Sequence, residues 1–385
     1  MKRMLLLAAM CLGVCGCFDV NVKAPDLGNS NGNASAANGG KTGLAPSQLP
    51  LSGSWKDVAI SRAGEIFLDT QQGVLFYAYD SLAYPDQEVE LGARLQNAAG
   101  LGGIQDVELA FTQNGRTLGK AKTDESGIAK LKWTPPQSGD YPLQVKIVDV
   151  PDDEQEPLLK LEPAPLLVSS RPKGTPMVVI DLDHTVVDAS FFRVLVGGAT
   201  PAPDSVRVTR RLAGDHTLVY LTQRPDLLVT KSKLWLQQHD YPAGPLLVSG
   251  IRELVSGNRE YKAGRLSQVM KSYPDVRIGI GDKVSDAQVY LDAGLTAYLL
   301  PYYKQEPKDM LAIASQIQQL GESSGKGKLQ VVRNWREIEA GIYQRQQFPA
   351  DTFARRLRDE ARQLQPVAPA RQSNDDDDDD DDDDD

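Results

Sequence analysis

Asp181 and Asp183 stand two residues apart, behind the apolar run Met177-Val178-Val179-Ile180 and ahead of His184 and Thr185. Residues two apart on a strand point to the same side, so both carboxylates converge on one spot. An acidic pair followed by a threonine has the chemistry of a phosphoryl-transferring aspartate. Three further features follow in order. Thr222 closes the apolar segment Leu218-Val219-Tyr220-Leu221 and precedes a helical pattern opening near Pro225. A hydroxyl beside free backbone amides at a helix start would make a phosphate cradle. Lys262 stands at the start of another helical pattern, able to balance the charges of phosphate and nucleophile. Asp282 ends the run Gly279-Ile280-Gly281, and Asp286 follows four residues later, where one helical turn returns it to the same side.

The elements that must position these residues alternate. Apolar stretches at Val178 to Asp181, Thr217 to Thr222, Leu246 to Ser249, Arg277 to Ile280 and Thr296 to Leu300 read as strands. Helical patterns at Pro225 to Gln238, Lys262 to Ser272 and Ala287 to Ala293 lie between them. Such alternation predicts an α/β fold with a parallel sheet covered on both faces. Ligands bind such sheets at the carboxyl ends of the strands, where all four features fall. Val331 to Ile338 reads as a final strand or edge segment running into a helix, and Asp351 to Gln365 as a charged amphipathic helix that packs on the domain. About thirty residues separate Thr185 from Leu218, room for a helix or two but not for a large cap, so the site should be open.

Over roughly Met177 to Leu300 this pattern resembles the haloacid dehalogenase superfamily of phosphatases, with its Rossmann-like parallel sheet. The resemblance implies that Asp181 attacks phosphorus and that Asp183 serves first as general acid and then as base. It implies that Thr222 and Lys262 hold phosphoryl oxygens. Asp181, the backbone carbonyl of Asp183, and Asp282 would bind Mg²⁺, a cation suited to oxygen ligands, with Asp286 a further ligand or the holder of a bound water. Thr185 is expected at the substrate. Arg224 either touches a head group or is a surface arginine at a helix start, and His184 either reaches substrate or is an idle loop side chain. Within the superfamily, Leu221 to Ser249 and Gly279 to Leu295 resemble lipin-type phosphatidate phosphatases and the related C-terminal (LNS2-type) domain of membrane-associated phosphatidylinositol transfer proteins. Two departures stand out: lipins usually carry glycine where His184 stands and often asparagine where Asp282 stands. The transfer-protein domains lack the intact acidic pair and act as phosphatidate sensors, whereas this chain keeps both aspartates, which favours catalysis.

Upstream, residues 54–170 read as short strands with turns between them, among them Glu65 to Leu68, Gly73 to Tyr77, Glu88 to Leu95, Val107 to Phe111, Thr117 to Lys120, Ile128 to Trp133 and Tyr141 to Val148. Asn114-Gly115 marks a hairpin, because both positions tolerate positive φ. The spacing predicts an all-β sandwich. Thr123 to Ile147 resembles bacterial immunoglobulin-like domains, which implies a spacer or binding module. Arg171 to Pro176 reads as a short linker, residues 171–345 as the phosphatase-like domain and 346–370 as the C-terminal helix region.

The chain is 385 residues long, 41% hydrophobic and 24% charged, enough for two or three domains. Its net charge of −10 is set by the run Asp375–Asp385; without those eleven carboxylates the remainder stands at +1, which gives no argument for nucleic acid. Residues 371–385 are expected to be a disordered acidic tail. Lys2 and Arg3 precede the apolar stretch Met4 to Val14, the pattern of an export signal over residues 1–17. Val14-Cys15-Gly16-Cys17 resembles the lipobox of bacterial lipoproteins and implies lipidation at Cys17, a membrane anchor at the cell envelope, and, since no aspartate directly follows the cysteine, the outer membrane. All three cysteines lie in this segment, so the mature chain is expected to hold no disulfide and no cysteine metal site. Residues 18–53 read as a flexible tether. His216 and His239 read as structural, and Arg207, Arg210 and Arg211 as a solvated face rather than an anionic-lipid contact. A nucleophile elbow, a P-loop and a zinc pattern are all absent from the sequence. The expectation is a membrane-tethered, monomeric Mg²⁺-dependent phosphomonoester phosphatase acting on phosphatidate or another lipid phosphate. Two alternatives stand beside it: a non-catalytic phosphatidate-binding lipoprotein, and a surface protein that binds through its sandwich.

Overall fold

The computed structural model describes residues 70–190, 193–194, 198–250, 258–325 and 327–364. The export signal with Cys17, the tether, the segment Glu65 to Leu68 and the acidic tail lie outside the described residues.

Among the described residues nine strands form the N-terminal part: β1 (Thr70–Gln71), β2 (Val74–Tyr79), β3 (Ser81–Ala83), β4 (Val89–Asn97), β5 (Glu108–Gln113), β6 (Arg116–Lys122), β7 (Ile128–Trp133), β8 (Gly139–Asp149) and β9 (Ala164–Ser170). They make two sheets, ordered β1-β2-β4-β7 and β3-β9-β8-β5-β6. Inward residues of both, among them Phe76, Leu91 and Leu95 from one and Leu109, Phe111, Val145 and Val168 from the other, form one core. The β5–β6 hairpin turns at Asn114 and Gly115, with φ of 49° and 80°, as its sequence requires.

A six-stranded parallel sheet follows: β10 (Met177–Ile180), β11 (Thr217–Pro225), β12 (Leu246–Ser249), β13 (Val276–Gly281), β14 (Thr296–Leu299) and β15 (Leu329–Val331). Seven α-helices accompany it among the described residues: α1 (Ser205–Leu212), α2 (Val229–Gln238), α3 (Asn258–Ser272), α4 (Val284–Asp292), α5 (Pro307–Ser323), α6 (Trp335–Gln344) and α7 (Ala350–Gln363). Successive residues of β10 serve opposite faces, as strand geometry dictates. Val178 and Ile180 pack with Leu212, Leu236 and Trp335, while Met177 and Val179 pack with Leu266, Tyr290, Ile317 and Leu357. Burial on both faces is why this sheet reads as unbroken apolar runs. The strand order is β12-β11-β10-β13-β14-β15, so the chain winds outward from β10 in one direction and then restarts at β13 on its other side. The crevice between the carboxyl ends of β10 and β13 is the switch point at which doubly wound sheets bind ligands.

Four expectations need correction. The strand containing Thr222 continues to Pro225, and α2 opens only at Val229 after a 3-10 turn at Asp226–Leu228. Pro225 holds an extended conformation, with ψ of 148°, and keeps the strand running past the expected helix start. Helix α5 was not foreseen, although Met310, Ala314, Ile317 and Leu320 bury one face at helical spacing. The linker is not free: Arg171 is buried, donating to the carbonyl of Ser170, to Thr217 Oγ1 at 2.9 Å and to Asp140 at 2.6 Å. Nor does the sandwich stand apart, since Leu75, Tyr77 and Leu167 share a core with the parallel sheet. There Lys233 on α2 pairs with Asp80 at 2.6 Å, both fully buried, and Asp80 also accepts from the amides of Leu167 and Leu246. The remaining polar capacity of Lys233 goes to the carbonyls of Ala78 and Pro165, so neither charge is left bare.

Candidate active site

Strand β10 delivers Asp181 and β13 delivers Asp282 to the same crevice, the Asp181 amide donating to the Ile280 carbonyl at 2.9 Å. Asp286 comes from the first turn of α4, which must lie close against β13 for its carboxylate to reach. Two glycines permit that approach. A Cβ at Gly279 would fall 2.2 Å from the ring of Tyr290, and one at Gly281 would fall 3.0 Å from Asp286. Asp181, Asp282 and Asp286 are all buried, and each offers an oxygen within 4.8 Å of the others. Lys262 reaches in from α3, its Nζ 2.9 Å from Asp181 Oδ1 and 2.8 Å from Asp286 Oδ2.

The electrostatics are those of a site short of positive charge. Burial, then the charges of Asp181 and Asp286, push Asp282 well above the usual carboxylate range. Burial also raises Asp286, against the pull of Lys262. Burial works against the charge of Lys262, but Asp181 and Asp286 outweigh it and hold its pKa well above the ordinary lysine value. Lys283 is raised too, its own burial outweighed by Asp282, Asp181 and Asp286. Asp282 Oδ1 is buried with no hydrogen-bond partner among the described residues. Three buried carboxylates and an unsatisfied oxygen form a donor set that fits a hard divalent cation.

Asp183 is held separately. Arg224, itself buried, donates from Nε and Nη2 to its two oxygens at 3.1 and 2.6 Å and from Nη1 to Ser232 Oγ at 2.9 Å. Arg224 is thus neither a surface residue nor a free head-group contact; it clamps the second aspartate. Thr222 lies beneath this clamp, its buried hydroxyl accepting from the Arg224 amide at 3.2 Å, with no helix start beside it. Thr185 is 0% exposed, its carbonyl accepts from Trp335 Nε1 at 2.9 Å, and its hydroxyl is buried with no hydrogen-bond partner among the described residues. His184 takes a left-handed conformation, with φ of 54°, and its ring stacks on Tyr302 at 3.9 Å. Burial lowers the His184 pKa from its ordinary value, against the pull of Asp183.

The structure therefore gathers Asp181, Lys262 and Asp286 by direct contact, brings an oxygen of Asp282 within 4.8 Å of the other two carboxylates, and keeps Asp183 on the adjoining loop. Sequence reasoning missed Lys283, Ser232 and Tyr302. Tyr302 is 49% exposed and its amide donates to the Asp282 carbonyl at 3.3 Å. Its place just past the carboxyl end of β14 was the signal that could have found it. The basic cluster is half exposed, as a solvated face would be, and also ion-paired: Arg207 and Arg211 on α1 both bind Glu339 on α6, at 2.8 and 2.6 Å, and Arg210 lies 3.6 Å from Asp240. Helix α7 packs on the domain through Phe353, Ala354, Leu357 and Ala361. No helix among the described residues is long and apolar enough to cross a membrane.

No curated protein matches the chain. Among solved structures, the D0-D1 domain of Intimin matches at 17% identity and a TM-score of 0.18, over 25% of this chain and 45% of that one. The M1 domain from titin matches at 12% identity and a TM-score of 0.17, over 26% of this chain and 95% of that one. The chain thus spans less than half of the Intimin structure it matches, and likenesses this weak bear on neither fold nor function. Residues 178–299 match the family described as PITM 1-3, LNS2 domain, a span of about a third of the chain that runs from β10 to the end of β14 and holds every carboxylate of the cluster. That match supports a lipin-like, phosphatase-related reading for this stretch of the chain.

Proposed function

We propose that the α/β part is a Mg²⁺-dependent phosphomonoester phosphatase working through an aspartyl-phosphate on Asp181. The observation that carries this reading is Lys262 bridging Asp181 and Asp286 beside the partnerless oxygen of Asp282, at the switch point of a parallel sheet. Asp181 attacks phosphorus as the bond from phosphorus to the leaving oxygen breaks, and Asp183 gives that oxygen its proton. Asp183 then takes a proton from water, whose oxygen attacks phosphorus, freeing Asp181 and releasing inorganic phosphate. Asp181, Asp282, Asp286 and the carbonyl of Asp183 would hold Mg²⁺, which when bound offsets the repulsion between carboxylate and phosphate. Lys262 holds Asp181 in place through its 2.9 Å contact with Oδ1. Because Arg224 engages both oxygens of Asp183, one of those bonds opens for each proton transfer.

The favoured substrate is phosphatidate or a similar lipid phosphate, supported by the LNS2 match and by the shortness of the chain between Thr185 and Thr217. The sequence of the N-terminus supports a lipid anchor at Cys17 that brings the domain to such substrates at the cell envelope. One observation favours a second reading: the full occupation of Asp183 by Arg224 suits a pocket that binds phosphatidate without turning it over. The test is phosphate release by the full chain, with Mg²⁺, from phosphatidate vesicles and from small soluble phosphomonoesters, with Asp181→Asn alongside. Release from vesicles that vanishes in the variant is expected. Release from small esters only discards the lipid, and vesicle binding without any release hands the case to the second reading.

A further inference from the structure

The residue that clamps Asp183 is itself held from the sandwich. Two residues after Arg224 comes Asp226, buried at the opening of the 3-10 turn that precedes α2. Its Oδ2 accepts from Tyr79 Oη at 2.9 Å and from Arg94 Nη1 at 3.4 Å. Tyr79 ends β2, and Arg94 lies on β4 paired with Tyr77, so both reach out from one sandwich sheet. Arg94 Nε donates in turn to the Ser126 carbonyl at 3.3 Å, which fixes the guanidinium. At the far end of the same short segment, Lys233 is locked to Asp80. Ser232, the third partner of Arg224, lies between these two fastenings. The segment from Arg224 to Lys233 is therefore pinned to the sandwich at both ends, and the guanidinium that orients Asp183 projects from it.

We infer that Tyr79 and Arg94 are positioning residues for Asp183, acting through Asp226 and Arg224, so that the sandwich is a working part of the active site and not a spacer. The inference rests on the phosphatase reading above. Its physical basis is that a proton donor displaced by a fraction of an ångström transfers poorly, while a nucleophile held by other elements is unaffected. Asp181 is held by Lys262 from α3 and by the backbone of β13, whereas Tyr79 and Arg94 hydrogen-bond to Asp226.

That separation gives a test a merely structural role would fail. A general acid matters for an alkoxide leaving group and little for a nitrophenolate, which departs without a proton. In Tyr79→Phe, which removes a single oxygen, kcat/KM on a glycerol-type alkyl phosphate should fall about tenfold, a part of the roughly 10²–10⁴-fold that a general acid contributes, while kcat/KM on 4-nitrophenyl phosphate changes less than about twofold. Arg94→Gln should show the same pattern, and Asp183→Asn the same pattern enlarged. Melting curves establish that each variant is folded. Equal losses on the two esters in folded variants, or no loss on either, overturn the inference while leaving the phosphatase reading intact. A wild-type chain inactive on both esters and on phosphatidate vesicles, themselves an alkyl phosphate, overturns the two together.

Discussion

Each functional side chain here is defined by what holds it. Asp282 is the clearest case, a buried carboxylate pushed toward neutrality by burial and by two like neighbours, with an oxygen that nothing satisfies. Cation binding should relieve that frustration in the folded state alone, so Mg²⁺ at about a hundred times its Kd should stabilise the chain by about 2.7 kcal/mol. A thermal melt with and without Mg²⁺ checks this without any substrate; the upward shift should disappear in Asp282→Asn. Asp181→Asn should abolish turnover while leaving the fold intact, and Asp183→Asn should lose at least ~100-fold through acid/base catalysis, both read by phosphate release. Asp181, Asp183, Lys262, Asp282 and Asp286 were legible in the sequence because strand ends and one helical turn fix their spacing. The partner of Arg224 was not legible. Its clamp on Asp183 joins residues 41 apart, and that pairing depends on how β11 lies beside β10. The same holds for the hydrogen bond from Trp335 to the Thr185 carbonyl, which joins residues 150 apart.

At the scale of elements, the site depends on how closely α4 can approach β13. Gly281 leaves the space that Asp286 occupies, and Gly281→Ala would place a methyl group 3.0 Å from it. Such overpacking costs about 1–3 kcal/mol and would push Asp286 off Lys262; a lowered melting temperature together with a loss of activity is expected. The contact of α1 with α6 predicts a pH dependence. Hydrogen bonds from Arg207 and Arg211 lower Glu339 from its ordinary 4.5 to about 2. A carboxyl with a depressed folded-state pKa contributes stability that is fully present above its unfolded value and lost as pH falls through the folded one. Stability from this contact should therefore decline between about pH 4.5 and pH 2, and melting curves of Glu339→Gln should lack that component of the decline. The α/β alternation could be read from sequence because strands covered on both faces are unbroken apolar runs. The extension of β11 through Pro225 could not, since proline there suits a helix start and an extended strand end equally well.

For the molecule as a whole, the sandwich and the parallel sheet share buried charge and a common core, where the sequence suggested a short linker and a spacer or binding module. Lys233→Ala would leave Asp80 buried without its cation, and losses of about 3–5 kcal/mol follow when one partner of such a pair is removed. Denaturant unfolding should register that loss, with both parts destabilised in one transition. Sequence patterning located the sandwich and the sheet but was blind to their junction, because Asp80 and Lys233 are 153 positions apart and each reads locally as an ordinary surface charge. The central claim is that Asp181 carries the phosphoryl group, and the most direct test is to trap it. The full chain would be mixed with Mg²⁺ and ³²P-labelled 4-nitrophenyl phosphate, whose leaving group departs without a proton, quenched in acid within one turnover, and mapped by peptide. The account predicts an acid-stable, hydroxylamine-labile label on the peptide containing Asp181, increased in Asp183→Asn and absent in Asp181→Asn. Phosphate release without any such label, or a label that persists when Asp181 is replaced, would contradict it.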